Sequence, residues 1–499
     1  MYLIISYNYK FYNWHLYCIF IGQAMGIITR VIFTLFLLIL PSTAKALTWS
    51  QTDWTTEFLS SSNIDNSTSG EIKLDVKSDW PLPTWRHRQM ITLTNSGAAQ
   101  TDYAVKISLT YSTNMNADFS DLRFTNSGGT NLDFWIEKST ASTSATVWVE
   151  VDSLAGTSTT EIYMYYGNAS ATSASNGENT FPFFDDFSSG TIDPSKWTTN
   201  APTVFTVSGG EMIVSSNTGG WSKTIYTTNS FSRSDLVAES DYRWDSNNSG
   251  YDALMLGWHD DSIGASYTNL VYGYYNPGYY SGNCTTCFVL VYEDGTGRGI
   301  KTGSWIQSQE YAVRVFMKAS GGATYEQSTD GGDTWTTSYD TTYSTESDLR
   351  PGIAQHTGTH AFDNYRVRQW MTTEPTTSFA SEENRYAASG TLTSNIISTA
   401  APGSAWSDLI YSKNSFGTVT VKLRSGTDSS LSDATAFSAC TGITSGTDMT
   451  GTSCVSDGDR YIQYEVTFST STADTPILQD IAFDYDPLTI AANAGPNRV

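Results

Sequence analysis

Glu239-Ser240-Asp241 sets two carboxylates two residues apart, which on a strand puts both on one face. Paired carboxylates are the machinery of glycoside hydrolysis, and retaining chemistry needs them about 5–5.5 Å apart across the sugar. Position 244 is Trp and Asp245 falls out of register, so a third acid on that face is missing. His356 and His360 have the spacing of a helical zinc pair, yet no Glu follows the first, and Gly358 between them disfavours a helix. They read as two outward histidines on a strand. The richest aromatic stretch is Tyr267–Tyr280, preceded by Trp258-His259-Asp260-Asp261. Aromatic faces beside Asp and Asn acceptors suit sugar rings, whose C–H faces stack while their hydroxyls find polar partners. Trp258, His259, Tyr272, Tyr274 and Tyr275 are therefore the candidate ligand platform, and Glu239 and Asp241 the candidate catalytic pair of an alternative, hydrolytic reading. The chain carries no G-x-S-x-G, P-loop or dinucleotide fingerprint.

The elements that must position these residues are strands. Short apolar or alternating runs recur at Met90–Leu93, Tyr103–Leu109, Ala145–Val151, Glu161–Tyr166, Leu254–Trp258, Phe288–Tyr292, Tyr311–Met317, Thr418–Leu423 and Tyr461–Phe468. Gly, Asn, Asp, Ser and Thr clusters separate them, and helical periodicity is missing beyond the leader. Strands at this spacing without helices predict an all-β chain of consecutive sandwiches.

The 499 residues suggest about three domains. Charged residues are 15% and aromatics 13%, a balance that excludes a disordered chain. Asp plus Glu is 50 against 27 for Lys plus Arg, and a net charge of −23 repels phosphate backbones and excludes a nucleic-acid partner. Arg30, the apolar run Val31–Leu40 and Ala44-Lys45-Ala46 read as the three parts of a signal peptide, too short to span a bilayer. Residues 1–24 read as an over-extended start before Met25, 25–46 as the signal peptide, and Leu47 as the start of an exported chain without a membrane segment. Cys284, Cys287, Cys440 and Cys454 then form an even set in an oxidising compartment, pairing as Cys284–Cys287 and Cys440–Cys454.

Punctuation divides the rest. Residues 47–83 are a polar, Ser/Asn-rich linker, 84–182 a first unit, 183–371 a second, 372–384 a Thr/Ser/Pro linker, 385–487 a third unit, and 488–499 a linker into a truncated domain. In the first unit, Trp85–Asn95, Asp121–Thr125, Phe134–Glu137, Val147–Val149 and Ile162–Asn168 occur in order. Together they resemble the secreted bacterial and archaeal domain of unknown function 2341, which implies an extracellular β-rich module and no known activity. The second unit, on Phe184-Asp185-Asp186-Phe187, Lys196-Trp197 and Phe362–Val367, is similar to concanavalin A-like jelly rolls of the laminin-G and lectin type. That likeness implies adjacent first and last strands, bringing Asp186 near Asp363, where two carboxylates plus carbonyls can hold Ca²⁺. Glu239-x-Asp241 is similar to the acid motif of laminarinase-type jelly-roll glycosidases, lacking its last Glu. Ser328–Trp335 resembles the sialidase Asp-box, a hairpin turn in which Asp330 bonds nearby backbone, Gly332 takes positive φ and Trp335 plugs the core. The third unit, on Ala388–Ser394, Val421–Gly426, Arg460–Tyr464 and Thr475–Leu478, is similar to galactose-binding-like sandwiches, and Ala492–Val499 resembles the opening of a polycystic-kidney-disease-type repeat.

The resulting expectation is a non-catalytic, secreted or cell-surface protein that binds a polysaccharide or surface glycan, or mediates adhesion, through its second unit. The alternatives are a carbohydrate-active hydrolase and an inert spacer stalk.

Overall fold

The structure, a computed structural model, describes residues 46–488 except 57, 233, 247–251, 261–269, 279–283, 294–295, 343–347, 400–402 and 453. For residues 246, 252–253, 270–278, 284–293 and 296–305 it describes the backbone alone. The expected signal peptide and the 492–499 tail lie outside these residues. The chain is all-β, with antiparallel sheets throughout, and no described helix is long and apolar enough to cross a membrane.

In the first unit, a three-stranded sheet (Gln100–Thr110, Ser144–Leu154, Phe134–Thr140) faces a sheet built on His87–Asn95 and Ser158–Tyr166. Strand periodicity decides what is buried: Tyr103, Val105, Ile107 and Leu109 alternate into the core beside Val147, Val149, Ile91 and Ile162. The opposite face of the three-stranded sheet is not left to water. Ala104, Trp135 and Trp148 pack there against Phe181 and Phe184, at the entry to the second unit.

The second unit is a two-sheet sandwich. Its opening strand Phe183–Asp185 pairs with Tyr365–Val367, so first and last strands are adjacent as the resemblance implied. Leu349–Gln369 serves both sheets, pairing through 349–357 in one and 358–369 in the other. Gly358, at φ +97, stands where the strand passes between them. That crossing also separates the two histidines. His360 is buried with Nδ1 3.0 Å from the Tyr242 hydroxyl, while His356 is half-buried beside Trp221. The expectation of two outward histidines is corrected for His360.

The third unit departs most from expectation. Residues 47–83 are not a linker: Leu47–Gln51 pairs with Ile481–Tyr485, and Phe58–Ser62 pairs with Thr391–Ser394. Trp54, Ile64, Ile72 and Leu74 lie in the third core with Leu392, Trp406, Tyr464 and Phe483. The first two units are thus an insertion between two parts of the third. Residues 372–384 are likewise more than a linker. Thr376–Phe379 adds a strand to the edge of His87–Asn95, and Glu383–Asn384 pairs with Arg88 and His87. Cys440 and Cys454 form the expected disulfide; Cys284 and Cys287 lie on a strand whose side chains fall outside the described ones.

Candidate functional site

The outer face of one sheet of the second unit lies against the first unit, and this seam gathers most of the chemistry-bearing side chains. Leu236–Ser246 sits between Leu349–Gln369 and Glu310–Met317, with Glu239 opposite Arg366 on one side and Arg314 on the other. Alternation sends Ala238 into the core and Glu239 to the seam. The Glu239 carboxylate is 2.7 Å from Arg366 Nε, 3.0 Å from Arg368 Nε and 4.0 Å from an Arg314 Nη, and is almost fully buried. Burial alone would push its carboxyl up, but the guanidinium groups of Arg368, Arg366 and Arg314 hold it well below the usual range.

Other partners hold each arginine in turn. Arg366 donates to Glu137 of the first unit at 2.7 Å, Arg368 to Glu374 at 2.8 Å, and Arg314 to Glu326 at 2.7 Å. Arg368 and Arg366 also lie 4.8 and 5.2 Å from the Trp148 ring, close enough for cation–π attraction. From the first unit, Lys106 donates to Gly332 O and to Asp333, both at 3.0 Å.

Gly332 and Asp333 belong to the Asp-box hairpin. Its local chemistry is as expected: Asp330 accepts from the backbone N–H of Asp333 at 3.1 Å and Thr334 at 2.9 Å, and Gly332 has φ +82. Trp335 does not plug the core. It is half-buried at the seam with the Arg314 guanidinium 3.9 Å from its ring centroid. Trp148, Trp335, Lys106, Asp333 and Glu374 line a cavity of about 410 Å³ together with the arginines and Glu239. The walls of this half-open cleft offer donors, acceptors and aromatic surface, at a size typical of small-ligand sites, roughly 300–1,000 Å³.

The two acids of the hydrolytic reading are separated in environment. A bulge falls between Glu239 and Asp241 where they pair with Leu349–Gln369. Asp241 accepts from Asn364 Nδ2 at 2.8 Å and stands opposite Asp363; burial raises its pKa, against the pull of Arg366. Asp363 is pushed up to about 7, first by burial and then by the carboxylates of Asp241, Glu211 and Asp186. Asp186 instead caps its own turn, accepting from Ser188 N and Oγ at 3.1 and 2.7 Å. Asp186 and Asp363 thus come within electrostatic reach at the strand end. Among the described residues, no group of three or more His, Cys, Asp or Glu is placed to hold a metal ion.

The aromatic platform is corrected at two of its five members. Trp258 is fully buried and donates its indole N–H to Val315 O at 3.0 Å, and His259 is 3% exposed. Burial pushes the His259 imidazole down to about 4, so it is neutral near pH 7. Both faces of this strand are covered, because Leu254, Leu256 and Trp258 enter the core while Met255 and His259 are buried on the other side. The run Ala253-Leu254-Met255-Leu256 carries that signal, since a continuous apolar run marks a strand buried on both faces. Tyr272, Tyr274 and Tyr275 stand opposite Trp258, Leu256 and Met255 in the backbone register; their side chains lie outside the described residues.

The family described as "Domain of unknown function (DUF2341)" matches residues 118–200, from the middle of the first unit into the opening strands of the second. No curated protein matches the chain in sequence. Among solved structures, the carbohydrate binding module CBM66 from Bacillus subtilis matches at 16% identity and TM-score 0.27, over 35% of this chain and 96% of that one. The metal-free VIP36 exoplasmic/lumenal domain matches at 12% identity and TM-score 0.31, over 40% and 98%. The legume lectin-like domain from Entamoeba histolytica matches at 9% identity and TM-score 0.29, over 35% and 91%.

Proposed function

We propose that the chain is an exported, non-catalytic surface protein that binds carbohydrate in the cavity between its first and second units. The observation that carries this reading is the cavity itself. Trp148 and Trp335 border it with Lys106, Asp333 and Glu374, the combination of apolar rings and planar polar groups that sugar recognition uses. A non-catalytic role is supported by Glu239. Its carboxylate is almost fully buried and engaged by Arg366 at 2.7 Å and Arg368 at 3.0 Å, which leaves it neither a proton to give nor a free oxygen to attack a sugar carbon. Export is supported by Arg30, Val31–Leu40 and Ala44-Lys45-Ala46.

A glycan array run beside a reducing-sugar assay tests the reading. The folded protein is expected to retain at least one glycan and release no reducing ends, and Trp335→Ala is expected to lose retention without a fall in melting temperature beyond a few degrees. Retention unchanged in Trp335→Ala would remove the cavity from the binding role. Reducing ends released by the wild type and lost in a Glu239→Gln variant that melting curves show to be folded would favour the hydrolase instead.

A further inference from the structure

A second cavity, of about 420 Å³, opens at the end of the first unit beneath the 376–382 segment. Its walls include Tyr111, Phe379, Gln89, Thr110 and Glu382. Phe379 is 39% exposed, a large apolar ring left open to water on an otherwise polar strand. Glu382 is fixed in place: Tyr166 donates its hydroxyl at 2.8 Å and Asn114 its Nδ2 at 2.9 Å. Gln89 donates to Ala380 O at 2.6 Å and ties down the same segment. Rings and fixed polar groups thus occur together here as they do at the seam.

The two cavities are not independent. Ser108 lines both, from an exposed position on Gln100–Thr110, the edge strand of its sheet. The segment after the second unit also borders both, through Glu374 at the seam and through Phe379 and Glu382 at the far cavity. The geometry points to one extended binding track that runs from Trp335 past Ser108 to Phe379, and its ligand is a linear oligosaccharide chain of several units, not a terminal monosaccharide. This rests on the carbohydrate reading of the seam. It assigns to the first unit and its 376–382 segment a direct part in ligand contact. Two cavities of this size, each with its own aromatic surface, accommodate successive sugar units better than a single one.

Calorimetric titration of the full mature chain with cello-, xylo-, manno- and chito-oligosaccharides of increasing length tests it. Affinity in the recognised series is expected to keep rising beyond the disaccharide. Phe379→Ala should weaken the long oligomers by roughly three- to tenfold, as expected for one lost aromatic contact, while leaving the shortest bound oligomer unaffected. Thr110→Arg, which fills the far cavity from an exposed position without removing packing, should give the same length-dependent loss. Affinity that levels off at one or two units, or long-oligomer binding unchanged in both variants, would overturn the track and leave the seam reading standing. Absence of binding in all four series would overturn both. Melting curves of each variant identify any loss that comes from unfolding.

Discussion

Removing Trp54 tests the claim that a Ser/Asn-rich stretch near the start of the folded chain is structural. Trp54 is fully buried in the third core and donates its indole N–H to Gln479 O at 3.2 Å, 425 residues away in sequence. Truncating a buried Trp to Ala costs about 3–5 kcal/mol through lost transfer energy and the cavity left behind. For a unit of this size each kcal/mol shifts the midpoint by roughly 2–4 °C or slightly more, so Trp54→Ala should lower the melting of the third unit by on the order of 10–15 °C. Ser61→Ala, exposed on the neighbouring strand, should stay within about 0.5 kcal/mol of wild type. Deleting 47–76 is harsher. Trp54, Ile64, Ile72 and Leu74 are all in the core, and at about 1.5–3 kcal/mol each their burial approaches the whole stability of a domain. The third unit should then fail to fold, a result read by calorimetry and by limited proteolysis between 385 and 487. A Trp54→Ala midpoint within about two degrees of wild type, smaller than a single lost kcal/mol predicts, would refute the insertion topology.

Further outcomes follow from the electrostatics and the cysteines. Glu239→Gln should destabilise the protein by about 3–5 kcal/mol in urea titrations near pH 7, because it leaves buried guanidinium charge uncompensated; a neutral substitution would contradict the network. Since the Glu239 carboxyl is held below its unfolded value, its contribution is complete above about pH 5 and is lost as pH falls into the acid range. Asp363 has the opposite sign: raised to about 7 in the fold, it contributes most below about pH 4 and that contribution is lost as pH rises through neutrality. Asp363→Asn should flatten the stability profile between those limits, and a profile superposable on wild type would rule the assignment out. Calcium at Asp186 and Asp363 would instead raise the wild-type melting temperature at neutral pH and leave Asp363→Asn unmoved. Thiol titration of the unreduced, unfolded mature chain should find no reactive sulfhydryl, and breaking Cys440–Cys454, which are 14 residues apart, should cost about 3 kcal/mol.

The strands were legible because burial on one face writes itself into alternation. Tyr103, Val105, Ile107 and Leu109 follow the two-residue period and do lie inside. The role of 47–83 was not legible, because its pairing is non-local. Leu47 meets Tyr485 and Ile72 meets Leu478, while the segment itself has a few apolar residues among Ser, Thr and Asn. The candidate site was half legible. Glu239-x-Asp241 was visible as a carboxylate pair, but its counterpart Arg366-x-Arg368 lies more than a hundred residues on, in the adjacent strand. Reading alternating basic residues against alternating acidic ones would have suggested a charge-paired sheet face before a catalytic dyad. Trp258 belongs to the core for a simpler reason. An aromatic residue at the end of a continuous apolar run is core before it is platform.

A chain with only 15% charged residues nevertheless places Glu239, Arg314, Arg366 and Arg368 out of water at one seam. Such burial is a poor source of stability, since desolvation offsets most of the Coulomb attraction, whereas a mispaired arrangement is penalised by several kcal/mol. The network therefore acts mainly on orientation. Arg366 bridges Glu239 of the second unit to Glu137 of the first, and Arg368 bridges Glu239 to Glu374 on the segment leading out of the second unit. Sliding one sheet over the other by a single strand spacing would strand these charges. With three parts of the chain fixed in register, the walls of the 410 Å³ cavity are set before any ligand arrives. A preformed wall spares the ordering cost that weakens binding by mobile side chains. A seam that looks like structural reinforcement and a cavity that looks like a binding site are then the same arrangement of residues. On the proposed reading, the first unit is the part that makes the second one's sheet face into a site.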